Sequence, residues 1–272
     1  MSKAIVVIPV YREDLSALER ISLIQCCKVL QQHSFCLVCP VDLNIDKHIE
    51  IFKTYKVDYR IERFQVHFFA GLDGYNRLML NDDFYRSFID NEYILIYQLD
   101  AFVFKDELTY WCEKGYDYIG APWFEGFNLA TSKSKMLDVS GNGGFSLRRV
   151  KSFINLLGSE CVKNKYIPEY LSSGQYEDMF FSKRAVEINE NFKVSEPKVA
   201  MYFSFECLPN KLYKMTNKNL PFGCHAWEKY DPVFWSKFIN INASTLMKLY
   251  LKSRRVQLES KLKLAINRLK SI

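Results

Sequence analysis

The 272-residue sequence lacks several features that would assign it to a common protein class. No apolar run approaches the ~20 residues that a membrane-spanning helix needs. Ser2 and Lys3 lead directly into the strand-like run Ala4–Val10, so we expect no signal peptide. No internal repeat and no interior linker are present. These absences favour one globular body, and the chain is long enough to bury a substantial core.

The cysteines show no metal or redox motif, although there are eight of them. Only Cys36 and Cys39 have C-x-x-C spacing, and both lie in the apolar run Phe35–Cys39. A zinc or redox site there would need partner ligands that the sequence does not supply. We interpret the two residues as buried thiols, and we predict a reducing, cytoplasmic location.

Basic charge is scarce outside the C-terminus. Residues 243–272 carry eight Lys and Arg against one Glu, or +7, so the total of +6 leaves −1 for residues 1–242. A nucleic-acid-binding body needs basic residues over its surface, so nucleic acid is not an expected partner. We divide the chain into a body, residues 1–240, and a basic amphipathic helical tail, residues 241–272.

The tail has one apolar stripe whose members recur at spacings of 4, 4 and 3, as on one face of a helix. They are Leu258, Leu262, Ile266 and Leu269. Basic residues flank the stripe, as in helices that lie on anionic lipid. This pattern predicts peripheral contact of residues 243–272 with the inner face of the membrane. Packing of the helix on the body and self-association are the alternatives.

The body alternates strand-like and helix-like segments, which is typical of an α/β fold with a mainly parallel sheet and flanking helices. Predicted strands are Ala4–Val10, Phe35–Cys39, Asp58–Glu62 and Tyr93–Phe104. Predicted helices are Leu15–Gln32, Asp46–Tyr55, Tyr75–Ile89, Glu107–Lys114 and Tyr176–Ile188. Ligands of such sheets bind at the carboxyl ends of the strands, so residues just after strands are the first candidates for a site.

The first strand ends in Pro9, Val10, Tyr11 and Arg12, which present a loop edge to a ligand. No G-x-G-x-x-G follows it, so the phosphate-binding turn of a dinucleotide fold is absent. In the long apolar strand Tyr93–Phe104, Asp100 must be exposed, paired or bound to a cation, since a buried unpaired charge is costly. Mg²⁺ and Mn²⁺ prefer carboxylate and phosphate oxygens.

Three later segments carry further candidates. Gly143 and Gly144 permit close approach of the backbone to a ligand, and a helix beginning near Arg148 would add amides and positive charge beside a phosphate or sugar. Glu177 and Asp178 fit either the first turn of a helix or a general base. His225, flanked by aromatic residues, is either structural or a ligand of a metal or pyrophosphate.

Taken in order, these segments resemble one protein family. The series Y-I-L-I-Y-Q-L-D-A, Y-D-Y-I-G-A-P-W, G-N-G-G-F-S-L-R-R, E-D-M-F-F-S and P-F-G-C-H-A-W is similar to the bacterial and fungal family DUF5672, over roughly residues 1–230. That family resembles glycosyltransferases of the GT-A fold. The segment V-V-I-P-V-Y-R-E also resembles the nucleotide-binding first strand of inverting GT-A enzymes.

The resemblance implies a role for each candidate. Asp100 matches the final, metal-binding residue of the D-x-D signature, while Gln98 replaces the first Asp, which contacts ribose, and Leu99 lies between them. The glycines match those beside the donor sugar and acceptor, and the acidic pair matches the source of the catalytic base, for which we favour Asp178 over Glu177. His225 matches a late His that completes the metal shell.

The implied reaction transfers a sugar from a nucleotide-diphosphate donor to a hydroxyl of a glycan or lipid-linked acceptor, with Mn²⁺ or Mg²⁺ as cofactor, in bacterial surface-glycan synthesis. Direct displacement with inversion is expected, and retention stays open. A nucleotidyltransferase-like enzyme and a catalytically silent nucleotide-sugar-binding module are the alternatives. The substitution at Gln98 weakens the case for strict metal dependence.

Overall fold

The computed structural model describes residues 2–253 and 255. Its strands, numbered along the chain, are β1 Ser2–Pro9, β2 Ser34–Pro40, β3 Tyr59–Phe64, β4 Asn91–Tyr97, β5 Phe102–Val103, β6 Tyr118–Ile119, β7 Pro122–Phe124, β8 Met136–Ser140, β9 Phe145–Arg149, β10 Ser204–Phe205 and β11 Gly223–Cys224.

The helices are numbered in the same way. They are α1 Ala17–Val29, α2 Asp46–Tyr55, α3 Gly71–Met79, α4 Asp82–Arg86, α5 Leu108–Glu113, α6 Val150–Leu157, α7 Ile167–Ser172, α8 Glu177–Met179, α9 Ala185–Ile188, α10 Pro197–Phe203, α11 Pro209–Met215 and α12 Pro232–Trp235. Short 3-10 turns span Val66–Phe69 and Phe127–Leu129, and π-helical turns span Val162–Tyr166 and Phe180–Arg184. A further helix, residues 243–253, is the C-terminal helix below.

Six strands form the central sheet in the order β3-β2-β1-β4-β9-β6. The first four are mutually parallel, and β9 runs antiparallel to both of its neighbours. Alternate residues of β1 point to opposite faces, so Val6 and Ile8 pack with α1 and α2, while Ile5 and Val7 pack with α3, α4 and α6. The predicted mainly parallel sheet with flanking helices is confirmed.

A second, smaller unit packs against the end of this sheet. Strands β10, β11 and β5 form a three-stranded sheet, and its apolar cluster includes Trp227 and Trp235. Leu249 of the C-terminal helix is 5% exposed and belongs to the same cluster. The described part of the tail is therefore packed on the body, whereas the stripe Leu258 to Leu269 lies outside the described residues. The division at residue 240 stays a prediction.

Three details of the sequence interpretation were wrong. The predicted strand Tyr93–Phe104 breaks after Tyr97, because Ala101 N donates to Gln98 O (2.8 Å) in a tight turn and the chain then enters the small sheet. The predicted helix Tyr75–Ile89 is two helices, since Asn81 caps a second one by accepting a hydrogen bond from Asp83 N.

The third error concerns the charge of Arg148, which we expected beside a phosphate or sugar, although the helix expected nearby does begin at Val150. Arg148 lies within β9, and its side chain is fully buried. The thiols of Cys36 and Cys39 are buried and free, as predicted. Among the helices of the described chain, none combines the length and the apolarity that crossing a bilayer requires.

Candidate active site

Two adjacent strand ends form the centre of the candidate site. Because β1 and β4 pair in parallel, Pro9 and the turn Gln98–Asp100 emerge at the same edge of the sheet. A cavity of about 640 Å³ opens there, which we call the first cavity. Its lining includes Pro9, Tyr11, Arg12, Glu19, Phe68, Phe69, Leu72, Tyr75, Gln98, Leu99, Asp100, Glu228 and Lys252.

Most of the predicted donor-binding residues therefore line one cavity, but Val10 does not. Its side chain is 1% exposed and belongs to the core. Tyr11 is 58% exposed, and the Arg12 guanidinium carbon lies 5.2 Å from the centre of the Tyr11 ring. Arg12 also forms an ion pair with Glu19. Glu19 lies in the first turn of α1, where its backbone N–H donates to the side chain of the N-cap residue Ser16.

A second cavity, of about 330 Å³, adjoins the first and shares three lining residues with it, namely Leu72, Tyr75 and Gln98. The rest of its lining includes Trp123, Phe127, Gly143, Gly144, Tyr176, Glu177, Asp178, Glu206, His225, Lys229 and Tyr230. The two predicted glycines thus face this second cavity rather than the first. Candidates from five separate sequence segments meet around two adjoining spaces.

His225 lies at the boundary between the cavities and contacts three side chains. Its Nε2 atom is 3.1 Å from Gln98 Oε1 and 3.2 Å from Asp100 Oδ1. Its Nδ1 atom is 3.1 Å from Glu206 Oε1. Gly144 makes this approach possible, because a Cβ there would stand 2.0 Å from His225 Nε2.

The charges around His225 reinforce one another. Burial lowers the pKa of His225, but Asp100 and Glu206 outweigh this effect and raise it to about 10. Burial likewise raises the pKa of Asp100, and the neighbouring His225 brings it below its ordinary value. The two neighbouring acids therefore favour the protonated, cationic form of the imidazole.

The same atoms fit a divalent cation. Ligands about 2.1 Å from an octahedral ion lie about 3 Å apart, which the two Nε2–oxygen distances match. Glu206 lies 3.1 Å from the opposite nitrogen and would orient Nε2 towards an ion, as metal-ligating histidines require. Among the described residues, no group of three His, Cys, Asp or Glu side chains could hold a metal ion. A third donor atom would have to be the amide oxygen of Gln98.

The acidic pair of α8 divides into two different environments. Glu177 forms a 3.0 Å ion pair with Arg148, and the two side chains are 5% and 0% exposed. Asp178 forms no ion pair with the described part of the chain: its carboxylate accepts hydrogen bonds from Met179 N (2.8 Å) and Gly143 N (3.4 Å). Burial, with Glu177 and Glu206 nearby, raises the pKa of Asp178 to about 8.

Sequence reasoning missed Glu206 and Lys252. The signal for Glu206 was present, because a lone carboxylate stands in the apolar segment Phe203–Leu208, as Asp100 does in its own segment. Lys252 lies in the segment that we interpreted as a membrane-contacting tail, with packing on the body or self-association as alternatives, and we did not assign it to the site. Neither residue has a short-range motif that points to the site, since folding alone brings them to it.

Comparison with known proteins agrees with this architecture. The family model described as "Protein of unknown function (DUF5672)" matches residues 58–225. A comparison with curated protein sequences finds no match.

Two crystal structures of LgtC are similar to the chain. The structure of an active-site variant is 15% identical, with a TM-score of 0.51, and covers 91% of this chain and 95% of LgtC. The other, called a galactosyltransferase in complex with donor and acceptor sugar analogues, is 14% identical, with a TM-score of 0.50 and coverage of 90% and 94%.

The glycosyltransferase GlyE of Streptococcus pneumoniae is 14% identical, with a TM-score of 0.49 and coverage of 93% and 64%. The family match extends over more than half of the chain, and the similarity to the LgtC structures extends over about nine tenths of it. The chain therefore belongs to the DUF5672 family, and its fold is that of the GT-A glycosyltransferases.

Proposed function

We propose that the protein is a glycosyltransferase that moves a sugar from a nucleotide-diphosphate donor to a hydroxyl of a glycan or lipid-linked acceptor. One observation carries the proposal: the cavity lined by Asp100 adjoins a cavity lined by His225 and by Asp178, an acid of raised pKa, and Gln98 lines both. Sugar transfer needs both arrangements. The leaving diphosphate gains negative charge, and the acceptor hydroxyl must lose its proton.

The first cavity suits the nucleotide part of the donor. The exposed Tyr11 ring offers a face for a base to stack on, with Arg12 beside it. Pro9 and Leu99 complete an apolar wall. Its volume of about 640 Å³ lies in the range of pockets that bind ligands of this size.

Charge in the first cavity favours a divalent cation as cofactor, Mn²⁺ or Mg²⁺. Its described lining has two cations, Arg12 and Lys252, and three carboxylates, Glu19, Asp100 and Glu228. Arg12 is already paired with Glu19, so a bound diphosphate needs more positive charge than the protein supplies.

Asp100, His225 and Gln98 would hold the ion, and Glu206 would orient His225. When bound, the ion neutralises diphosphate oxygens. Gln98 stands where the D-x-D signature has its first, ribose-contacting Asp, and in this proposal its amide oxygen would be a neutral ligand of the ion.

In the second cavity we assign Asp178 as the general base. The acceptor O–H proton passes to the Asp178 carboxylate while the acceptor oxygen forms a bond to C1 of the donor sugar. The bond from C1 to the phosphate oxygen breaks, and the nucleoside diphosphate leaves with that electron pair. A pKa of about 8 suits a base that works near neutral pH. Displacement from the face opposite the diphosphate inverts the anomeric centre.

Glu177 holds a different role in this proposal. Its ion pair with the buried Arg148 fixes the start of α8, so it positions Asp178 rather than taking the proton itself. Gly143 permits this arrangement, because a Cβ there would stand 2.4 Å from Glu177 Oε1.

We place the reaction at the cytoplasmic face of a membrane, in bacterial surface-glycan synthesis. The support is the sequence of the tail, where basic residues flank an apolar stripe. The acceptors of such pathways are often lipid-linked. No nucleic-acid partner is proposed, because the body carries a net charge of −1.

Two experiments test the function. Purified protein is screened by thermal shift against common nucleotide sugars and the matching nucleoside diphosphates, with and without Mn²⁺, and each stabilising donor is assayed for hydrolysis and transfer. Stabilisation without turnover would favour a silent binding module, and turnover of nucleoside triphosphates would favour a nucleotidyltransferase. The anomeric configuration of the product, read by NMR, tests the inversion.

The cation site is tested with Asp100→Asn. We expect a folded protein that has lost transfer, while Asp138→Asn, which removes an exposed acid outside both cavities, keeps it. Glu206→Gln should weaken Mn²⁺ binding about 10- to 100-fold, since it replaces the carboxylate partner of His225 Nδ1 with a neutral amide. Full activity of the wild type in EDTA, or normal transfer by Asp100→Asn, would contradict this assignment.

A further inference from the structure

A third cavity, of about 670 Å³, adjoins the second. It shares Phe127, Cys207 and Tyr230 with the second cavity and no residue with the first. An acceptor whose hydroxyl faces Asp178 would therefore lie next to this space. The proposed function leaves the third cavity without a role.

The lining of the third cavity has the character of a carbohydrate site. Phe127, Val233 and Tyr250 are large apolar side chains that are 44%, 46% and 39% exposed, so the cavity presents apolar faces to solvent. Aromatic faces suit the C–H faces of sugar rings. Ser132 and Lys214 bring polar groups among them, which sugar hydroxyls need as hydrogen-bond partners.

Backbone strain is concentrated around the same space. Seven described residues other than glycine have positive φ, and three of them line the third cavity: Phe127 (45°), Leu208 (52°) and Asp231 (52°). Such conformations are sparsely populated for residues with a Cβ, and they persist where the surrounding structure holds them, often at binding sites.

The walls of the cavity are held from several directions. Lys211 Nζ donates to Ser132 O (3.1 Å), which joins the loop after Phe127 to α11. Asp231 caps α12 by accepting a hydrogen bond from Phe234 N (3.0 Å). Tyr250 lies on the C-terminal helix, which the buried Leu249 anchors to the body. The site is thus formed before any ligand arrives.

We propose that the third cavity binds the sugar units next to the acceptor hydroxyl, so that the acceptor is an oligosaccharide rather than a single sugar. This inference rests on the proposed function. The terminal unit occupies the second cavity beside Asp178, and the following units stack on Phe127 and Tyr250. An alkyl chain of a lipid is the competing occupant, but the hydroxyl and lysine groups of the lining favour a glycan.

The experiment compares acceptors of increasing length with the donor that the thermal-shift screen identifies. The probes are glucose, galactose, mannose and N-acetylglucosamine, their linear di- and trisaccharides, and the octyl glycoside of each monosaccharide. Initial rates are followed by mass spectrometry. We expect kcat/KM to be about tenfold higher for a trisaccharide than for its monosaccharide.

The matched variants are Tyr250→Ala and Tyr110→Ala. Both remove exposed tyrosines, but Tyr110 lies on α5 and lines none of the three cavities. In Tyr250→Ala, kcat/KM for the trisaccharide should fall about five- to tenfold, as expected for the loss of one aromatic contact. The kcat/KM for the monosaccharide should stay as in the wild type. Tyr110→Ala should behave as the wild type does.

Three results would overturn the inference while leaving the proposed function intact. The first is an equal kcat/KM for mono- and trisaccharides across the panel, or no transfer to any of them. The second is a Tyr250→Ala variant that loses the same factor in kcat/KM for the monosaccharide and for the trisaccharide. The third is an octyl glycoside whose kcat/KM exceeds that of its monosaccharide by as much as the trisaccharide's does. If no nucleotide sugar binds or turns over in the wild type, the proposed function fails, and the inference fails with it.

Discussion

The sharpest test of the site is the substitution Asp178→Asn, because it predicts opposite effects on stability and on activity. Burial and two neighbouring carboxylates raise the pKa of Asp178 to about 8, against an ordinary value of 3.8. Between these two pH values the folded protein keeps a proton on Asp178 that the unfolded chain has released. The free energy of unfolding therefore falls as pH rises across this window, and the stabilising contribution is lost at about pH 8.

The magnitude follows from the size of the pKa shift. One proton held only by the folded state changes the free energy of unfolding by about 1.4 kcal/mol per pH unit. From pH 5 to pH 7 the free energy of unfolding of the wild type should fall by about 3 kcal/mol relative to that of Asp178→Asn, which has no titrating group at position 178. For a chain of this size that corresponds to a change in the Tm difference of about 6–12 °C.

The assay is thermal unfolding of both proteins from pH 5 to pH 9 at constant ionic strength. The two curves should diverge between pH 5 and about pH 8 and run parallel above it. Asp138→Asn, which removes an exposed acid, should follow the wild type throughout. A Tm difference between wild type and Asp178→Asn that stays constant over the whole range would refute the raised pKa.

Activity should respond in the opposite direction. Asp178→Asn should lower kcat by about 10²-fold or more with little change in donor affinity, because a base acts on the chemical step. In the wild type, kcat/KM should rise with pH up to about 8, as the carboxyl loses its proton. A fully active Asp178→Asn protein would remove Asp178 from the role of base.

The remaining predictions concern three other parts of the chain. Glu177→Gln should cost about 3–5 kcal/mol of stability, since it leaves the buried charge of Arg148 unpaired; an inactive variant of normal Tm would instead favour Glu177 as the base. Lys252→Ala should weaken nucleoside-diphosphate binding several-fold, measured by calorimetry. The control Lys248→Ala should not, since Lys248 lies one turn earlier on the same helix and outside the described cavities. Equal affinities of the two variants would exclude Lys252 from the donor site. Removal of residues 254–272, which spares the C-terminal helix, should abolish co-sedimentation with anionic vesicles at moderate salt; unchanged sedimentation would make the tail structural.

The sequence alone determined the class of fold and the edge of the sheet at which the site lies. Apolar runs alternating with amphipathic segments predict parallel strands covered by helices, and the structure confirms this for β1, β2, β3 and β4. Strand ends then indicate where polar residues gather. Pro9, Asp100 and their neighbours could be selected in this way because each follows an apolar run.

Local pattern also led to errors where tertiary contacts override it. The run from Tyr93 to Phe104 is mostly apolar and looks like one strand, yet Ala101 N donates to Gln98 O (2.8 Å) and the chain turns. That turn exposes Asp100 beside His225. Arg148 has the charge expected of a phosphate ligand, but β9 directs it into the core, where Glu177 neutralises it.

Only the tertiary structure decided that the two adjacent acids have different partners. In the sequence, Glu177 and Asp178 are equivalent neighbours at the start of a helix. Successive side chains of a helix point about 100° apart, so Glu177 meets the buried Arg148, whereas Asp178 accepts hydrogen bonds from backbone amides. The partners that produce this difference, Arg148, Gly143 and Glu206, lie 28 to 35 residues away along the chain. No local pattern contains that information, because it arises from the packing of β9 and the small sheet against α8.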